Sequence, residues 1–263
     1  MFLTETLETI QNQTYKNLEI LVVDDGSSPE EAVKNKLLCE NFDKCTYYYK
    51  TNSGQPDSRN YGIKRSKGQF IAFCDDDDYW ALDKLEKQVA VFKDYPEYAV
   101  VTGCIEYINE DGSKTGVIKC HKGHNHGDIF KNLLIKNRTA SIIPLVKLEV
   151  FDKVGYFNPN FRIGEDWEFW RRVSYYYKFY ALPDVLGYVR LHDNNMSKSR
   201  VNDPLVRFLL YRKLTTTLLY WGENKFSRKE RKLIYKIEWT FYKKMFNNRS
   251  LIGLQFSTIF LFK

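Results

Sequence analysis

Two apolar runs that end abruptly in acids constrain this chain more than any other feature. LEILVVDDGSS (residues 18–28) leads a hydrophobic, β-branched segment into Asp24 and Asp25, and QFIAFCDDDDYW (69–80) leads a second into Asp75, Asp76, Asp77 and Asp78. Short runs of this composition specify buried strands. In an open α/β sheet the carboxyl ends of the strands form the edge where ligands bind, so two acid clusters fall on one sheet edge. Four consecutive carboxylates repel one another unless a cation or solvent screens them. Hard divalent cations take carboxylate oxygens and keep positions for water and phosphate. A solvated acidic turn, or a helix N-terminus that favours negative charge, is the plainer account of either cluster alone.

The segments around these runs alternate in type. FLTETLETIQN (2–12) has helical spacing, and a strand follows over Glu19–Val23. SSPEEAVKNKLLCENF reads as a helix with Ser27 or Ser28 as cap and Pro29 in its first turn. CTYYYKT is a strand, SRNYGIKRSKG a helix ended by Gly68, and LDKLEKQVAVFKDYP a helix stopped at Pro96. YAVVTGCIEYIN and KTGVIKC are strands around the turn EDGS. This alternation predicts an α/β fold with a mainly parallel sheet and crossover helices. Beyond it, residues 128–137 and 146–153 read as short helices and 165–178 as a longer one. From Pro204 the pattern is helical, over 205–222 and 227–247, with a last apolar piece LIGLQFSTIFLF. The expected organisation is a domain over 1–200 and a helical extension over 201–263. A sheet of this class normally opens on a strand and this chain opens on a helix, so the first strand is expected to be missing.

Charge separates the same two parts. The chain is net +7, yet residues 198–263 hold 15 Lys/Arg against 4 Asp/Glu, so the remainder is net acidic. A basic tail fits a phospholipid surface, a phosphorylated substrate or a plain solvated helix face. The five cysteines, Cys39, Cys45, Cys74, Cys104 and Cys120, include no CxxC pair. Their odd number predicts reduced thiols and a cytoplasmic protein. No signal peptide and no apolar run long enough to span a bilayer is evident.

Four blocks, in order, carry a resemblance over about residues 1–200: ETIQNQTYKNLEILVVDDGSS, NSGQPDSRNYGIKRSKGQFIAFCDDDDYWALDKLEKQ, VGYFNPNFRIGEDWEFWRRV and YVRLHDNNMSKS. With these the sequence resembles a family 2 glycosyltransferase of the inverting GT-A type, whose fold is Rossmann-like. A phosphorylation-receiver domain also ends its first strand in paired acids, but its later MPxxxG and Lys-Pro signals are absent here.

The resemblance implies roles for particular residues. Asp25 matches the nucleobase contact, with Asp24 beside it or holding the loop. Asn52, Gly54, Arg59 and Asn60 match the block under nucleotide and ribose, with Arg59 directed to the diphosphate or a neighbouring Asp. Asp75, Asp76 and Asp77 match a DxD-type motif that holds Mn²⁺ or Mg²⁺ on the donor diphosphate. Asp75 and Asp77 are the expected ligands and Asp77 the foremost. Asp166 of the Glu-Asp pair is the expected catalytic base, and Glu165 orients the acceptor or substitutes for it. Arg190 and His192 alternate and so share one strand face; the resemblance sets this segment near the donor phosphates, with Arg190 directed to them and His192 ligating the metal or donating to phosphate. Trp167 and Trp170 are more simply core residues than sugar-stacking ones. The implied partners are a nucleoside-diphosphate-sugar donor, UDP-linked in the first instance, and a hydroxyl acceptor on a glycan, lipid-linked in one reading. The implied setting is surface polysaccharide assembly.

Three further readings complete the expectation. The QxxRW motif of processive synthases is absent, which favours transfer of one sugar per visit. CHKGHNHG, with Cys120, His121, His124 and His126, crowds ligand types together, but adjacent Cys and His rarely ligate one zinc, and a loop on the acceptor side is the simpler reading. KFSRKERKLIYKIEWTFYKKMF interleaves cations and aromatics, as a peripheral membrane helix would; nothing in it matches a nucleic-acid recognition motif. The alternative function is a noncatalytic or N-terminally truncated nucleotide-binding remnant of such an enzyme.

Overall fold

Helix α1 (Phe2–Gln11) opens the fold and sits against two separate sheets. The computed structural model describes residues 2–120, 126–192 and 204–247. They form two compact units divided after His192, and each is described by itself.

In the first unit, β1 (Ile20–Asp24) pairs in parallel with β2 (Cys45–Tyr49), Asp24 lying opposite Tyr49. Helix α2 (Pro29–Cys39) connects them. Its N-cap is Ser28, whose Oγ accepts from the Glu31 N–H at 3.3 Å, and Pro29 occupies the first turn, where its missing N–H costs nothing. Helix α3 (Gln55–Ile63) then leads to the larger sheet. Its strands are β3 (Phe70–Ala72), β4 (Tyr79–Trp80), β5 (Tyr98–Ile108), β6 (Lys114–Lys119), β7 (Leu145–Lys147) and β8 (Lys178–Arg190), in the order β3-β7-β5-β8-β4 with β6 added on β5. Helices α4 (Lys84–Asp94), α5 (Phe130–Ile135), α6 (Glu149–Val154) and α7 (Glu165–Tyr176) complete the unit.

The sheet is mixed, not mainly parallel. Only β1–β2 and β5–β8 run parallel; β3–β7, β5–β7, β5–β6 and β4–β8 run antiparallel. The difference comes from β7, which enters reversed between β3 and β5. Its Leu145 and Val146 are buried there, and α6 begins only at Glu149. Among the described strands, β1 and β3 each keep one edge without a paired strand. Ile10 and Leu18 pack against both the Leu7–Ile20–Cys39 cluster and the Trp80–Phe92–Val101 cluster, and so join the two sheets through side chains.

Cys104 on β5 and Cys120 beyond β6 are bonded across their hairpin, against the expectation of reduced thiols throughout; Cys39, Cys45 and Cys74 are free. His121 and His124 of the histidine-rich segment lie outside the described residues, and His126 stacks edge-on against Tyr180. Helix α7 is anchored by buried charge. Arg172 pairs with Glu168 at 2.8 Å and also donates to the carbonyls of Val154 and Tyr156. Trp170 is buried in the core, and the Trp167 indole donates to the Leu133 carbonyl at 2.6 Å.

The second unit is a pair of helices, α8 (Pro204–Trp221) and α9 (Arg228–Asn247). Tyr211 stacks on Phe241 at 3.8 Å and Phe208 lies tilted against Tyr242 at 4.9 Å, with Leu214, Leu218 and Ile234 buried. A capping box starts α9: the Ser227 N–H donates to Glu230 at 2.6 Å and the Glu230 N–H to the Ser227 hydroxyl at 3.3 Å. The final apolar piece lies outside the described residues. No described helix is long and apolar enough to cross a membrane.

Candidate active site

The two acid loops take different forms because their donors differ. Asp24 ends β1 and is buried, receiving the Ser27 N–H at 2.8 Å, the Tyr47 hydroxyl at 2.7 Å and the Asn35 amide at 3.3 Å. Burial alone would raise its carboxyl, but these donors outweigh it and hold the group below the usual range. Asp24 therefore fastens the loop. Asp25 is only partly buried. It accepts the Ser53 N–H at 2.9 Å, the Gly54 N–H at 2.8 Å and the Lys50 ammonium at 2.5 Å. Here too burial works against ionisation, and Lys50 with the two N–H groups prevails. The loop closes at Gly26, with φ +88°, where a Cβ would stand 2.7 Å from the Asn52 nitrogen. Asn52 itself is exposed.

The four acids after β3 are sorted one by one. Asp75 is held by Gln55 at 2.9 Å, Arg59 at 3.2 Å and Ser141 at 3.3 Å. Asp76 is exposed, and Thr6 of α1 donates to its carbonyl. Asp77 is half-buried, its Oδ2 lying 2.7 Å from His192 Nε2. Asp78 turns inward, where burial and the neighbouring charges of Asp75 and Asp77 push it up to about 8 despite the Arg190 N–H at 2.9 Å. The repulsion expected of the run is thus met unevenly: Asp75 and Asp77 have Arg59 and His192 beside them, while Asp76 and Asp78 are pushed upward by desolvation and by these neighbouring acids.

Arg59 ties this loop to the Glu-Asp pair. Its guanidinium reaches Asp75 at 3.2 Å and Glu165 at 2.9 Å, flanked by the rings of Phe73 and Phe157 at 5.8 and 5.5 Å. A planar fork suits two carboxylates at once. Next to Glu165, Asp166 opens α7 beside Gly164, which adopts φ +76°. The Asn137 amide donates to Asp166 Oδ2 at 2.8 Å and the Trp167 N–H to its Oδ1 at 2.7 Å. Burial, with Glu165 adding to it, raises Asp166 to about 6, against the opposing pull of Arg59 and Asn137. Asp166 is partly buried, and its protonation changes near neutral pH.

Two expected binding residues occupy supporting positions instead. Both polar atoms of the buried Asn60 amide are taken by the Phe157 backbone, at 2.8 and 2.9 Å. Arg190 is 1% exposed; it donates to the carbonyls of Asp77 at 3.0 Å and Glu110 at 2.5 Å, and pairs with Glu5. Arg190 and His192 do share a side, since both address Asp77. Lys50, Gln55, Asn137 and Ser141 were not singled out in the sequence. Gln55 lay within a recognisable block; Asn137 and Ser141 carry no spacing signal at all.

Among the described residues no group of three or more His, Cys, Asp or Glu surrounds a single point. The donor types that suit a divalent cation nevertheless meet at one place, the Asp77 carboxylate and the His192 imidazole, whose Oδ2 and Nε2 lie 2.7 Å apart.

Known proteins resemble this chain in sequence and in fold. An uncharacterized glycosyltransferase of Rickettsia felis is 30% identical over 187 residues, 71% of this chain and 30% of that protein. One from Rickettsia typhi is 26% identical over 205 residues, 76% of this chain and 63% of that protein. This chain spans less than two thirds of either relative. WfaP of Escherichia coli, described as a UDP-Glc:alpha-D-GlcNAc-diphosphoundecaprenol beta-1,3-glucosyltransferase, is 28% identical over 213 residues, 75% of each chain. The fold matches S. aureus TarS 1-349 in complex with UDP-GlcNAc at a TM-score of 0.68, covering 94% of this chain and 69% of that one at 18% identity. It matches the Pyrobaculum calidifontis mannosyltransferase PcManGT, in complex with GDP-Man and Mn²⁺, at 0.62, covering 97% and 72% at 16% identity. The fold is therefore the GT-A fold, and since residues 2–155 match Glycosyl transferase family 2, more than half of its length, the chain belongs to that family.

Proposed function

We propose that this protein is an inverting glycosyltransferase that moves one sugar from a nucleoside-diphosphate donor to a hydroxyl acceptor. The carrying observation is the Arg59 bridge, which sets the Asp75–Asp77 loop and the Glu165–Asp166 pair on the two sides of one guanidinium. Asp25, partly buried, offers a remaining acceptor position of its carboxylate to an N–H of the nucleobase. Asp77 and His192 are the residues that would hold Mn²⁺ or Mg²⁺, and the cation supplies charge neutralisation for the leaving diphosphate. Asp166 takes the acceptor proton as the hydroxyl attacks the anomeric carbon. A carboxylate held near neutrality by burial suits that task, because it is ionised at working pH and still basic. Arg59 keeps Glu165 away from that proton and fixes the entry of α7.

The relatives guide the finer choice. WfaP acts with UDP-Glc on a polyprenyl-diphosphate-linked sugar, which supports a UDP donor and a lipid-linked glycan acceptor here, at the cytoplasmic face of an envelope membrane. A second reading, a nucleotide-binding protein without turnover, draws on the split sheet, since among the described strands none pairs the β1–β2 sheet with the larger one.

Calorimetry of UDP binding with and without Mn²⁺ tests the donor site, beside Asp77→Asn and Asp166→Asn. The expected result is Mn²⁺-dependent binding that Asp77→Asn weakens and Asp166→Asn retains, with sugar transfer reduced at least about 100-fold in Asp166→Asn. Wild-type protein that binds none of UDP, GDP or dTDP would overturn the donor reading. Binding without transfer to any polyprenyl-linked acceptor would favour the second.

A further inference from the structure

The second unit presents a surface that the transfer chemistry does not use. Among the residues of α9 whose side chains are described, Arg228 to Lys243, the exposed positions are Arg228, Lys229, Lys232, Tyr235, Lys236, Trp239, Thr240 and Lys243. At 3.6 residues per turn they fall within one arc of about 140°. All five charges on this arc are positive. The two acids of the helix are elsewhere: Glu230 is turned back into the capping box, and Glu238 is buried against Tyr242. An ordinary solvated face mixes both signs to form i,i+4 pairs; among the described residues of this face there is no Asp or Glu. Two large aromatics stand among the cations, Tyr235 at 42% and Trp239 at 49% exposure, spaced four residues apart, with the Lys243 ammonium 5.6 Å from the Trp239 ring. Helix α8 contains no Asp or Glu at all and exposes Leu209, Lys213 and Tyr220, the last at 81%.

We infer that the exposed face of α9 is a docking surface for an anionic phospholipid membrane. The apolar side of α9 is already used in packing on α8, so the helix does not insert as a free amphipathic helix does. It lies on the headgroups by charge, with Trp239 and Tyr235 at the depth where amphipathic rings reside. Each cation near such a surface adds to the attraction, which fades within a Debye length. The surface deepens the reading of a lipid-linked acceptor, because it would hold the enzyme at the plane where that acceptor resides. Membrane binding itself does not depend on the transfer chemistry.

Flotation of the full chain with vesicles of phosphatidylcholine alone, and of phosphatidylcholine with 30% phosphatidylglycerol, is the test. The wild type is expected to float with the anionic vesicles at low salt, to stay down with the neutral ones, and to be released at high salt. Lys232→Glu with Lys236→Glu should weaken partition by roughly 30-fold or more, from the loss of two cations. Trp239→Ser should weaken it separately, and tryptophan emission should shift to the blue on binding in the wild type but less in that variant. Circular dichroism identifies any variant that fails to fold, and Lys229→Gln with Lys243→Gln then serves as the milder replacement. Asp166→Asn, inactive in transfer, should float as the wild type does, which separates this inference from the enzymatic one. Wild type that stays down with anionic vesicles, charge-reversed protein that floats undiminished, or a DNA duplex bound as tightly as the vesicles would each overturn it.

Discussion

Asp166 receives one hydrogen bond from Asn137, across 29 residues of sequence. That bond lowers a carboxyl that burial and Glu165 raise to about 6. A base must be ionised to act, so kcat/KM should rise with pH through about 6 and level off above it. Asn137→Ala removes a stabilising donor from the ionised form, and its rising limb should move to higher pH while the plateau falls by less than it does in Asp166→Asn. A pH–rate profile reads this directly; an unchanged limb with only KM altered would mean that Asn137 shapes the pocket and does not tune the base. The fold carries a cost for the same arrangement. The folded state holds the Asp166 proton more tightly than the unfolded chain, so this group's contribution is full below the ordinary carboxylate range and is lost as pH rises through about 6.

At the scale of elements, the β1–α2 loop shows how backbone geometry positions the nucleotide side. Gly26 has φ +88° and its missing Cβ leaves room for the Asn52 backbone. Gly26→Ala must both strain the turn, by roughly 1–3 kcal/mol, and displace the segment whose Ser53 and Gly54 N–H groups hold Asp25. Chemical denaturation should show the lost stability and calorimetry a weaker UDP affinity; unaltered affinity would detach this turn from the donor pocket. Such a glycine was visible as punctuation after two acids, as were the cap of α2 and the alternation through β5, because local composition decides those elements. Strand β7 was not visible: it is three residues long and runs straight into α6. Strand β8 was obscured by Pro183 and Gly187, and its register against β5 slips near Pro183, between Thr102 and Ile105. Within the site, the acid runs were legible because like charges in sequence demand an explanation. The Arg59–Glu165 and Asn137–Asp166 contacts were not, since their partners are brought together only by the fold.

Across the whole molecule, a buried amine that the chemistry does not use shapes how stability varies with pH. Lys84 is fully buried beneath the sheet, its ammonium 4.1 Å from the Trp80 ring and bonded to Gln88 at 2.8 Å, while Gln88 in turn donates to the carbonyls of Val101 and Ile143. Burial pushes the amine down to about 7. The unfolded chain therefore binds more protons than the folded one between about pH 7 and the ordinary lysine range, and folding stability should rise with pH across that window. Each pH unit of depression is worth about 1.4 kcal/mol, so the rise is on the order of several kcal/mol. Asp78, raised to about 8, acts in the opposite sense, its share of stability being lost as pH climbs from the acid range to about 8. Lys84→Met separates the two. It removes the rise above pH 7 and leaves the Asp78 decline, at the cost of one donor to Gln88, a loss of about 1–3 kcal/mol. Urea titrations of wild type and variant at pH 7 and pH 9.5 should therefore show the wild type gaining stability with pH and the variant not gaining. Parallel changes in both proteins would mean that Lys84 keeps its proton in the folded state, held by the Trp80 ring and Gln88 in place of water.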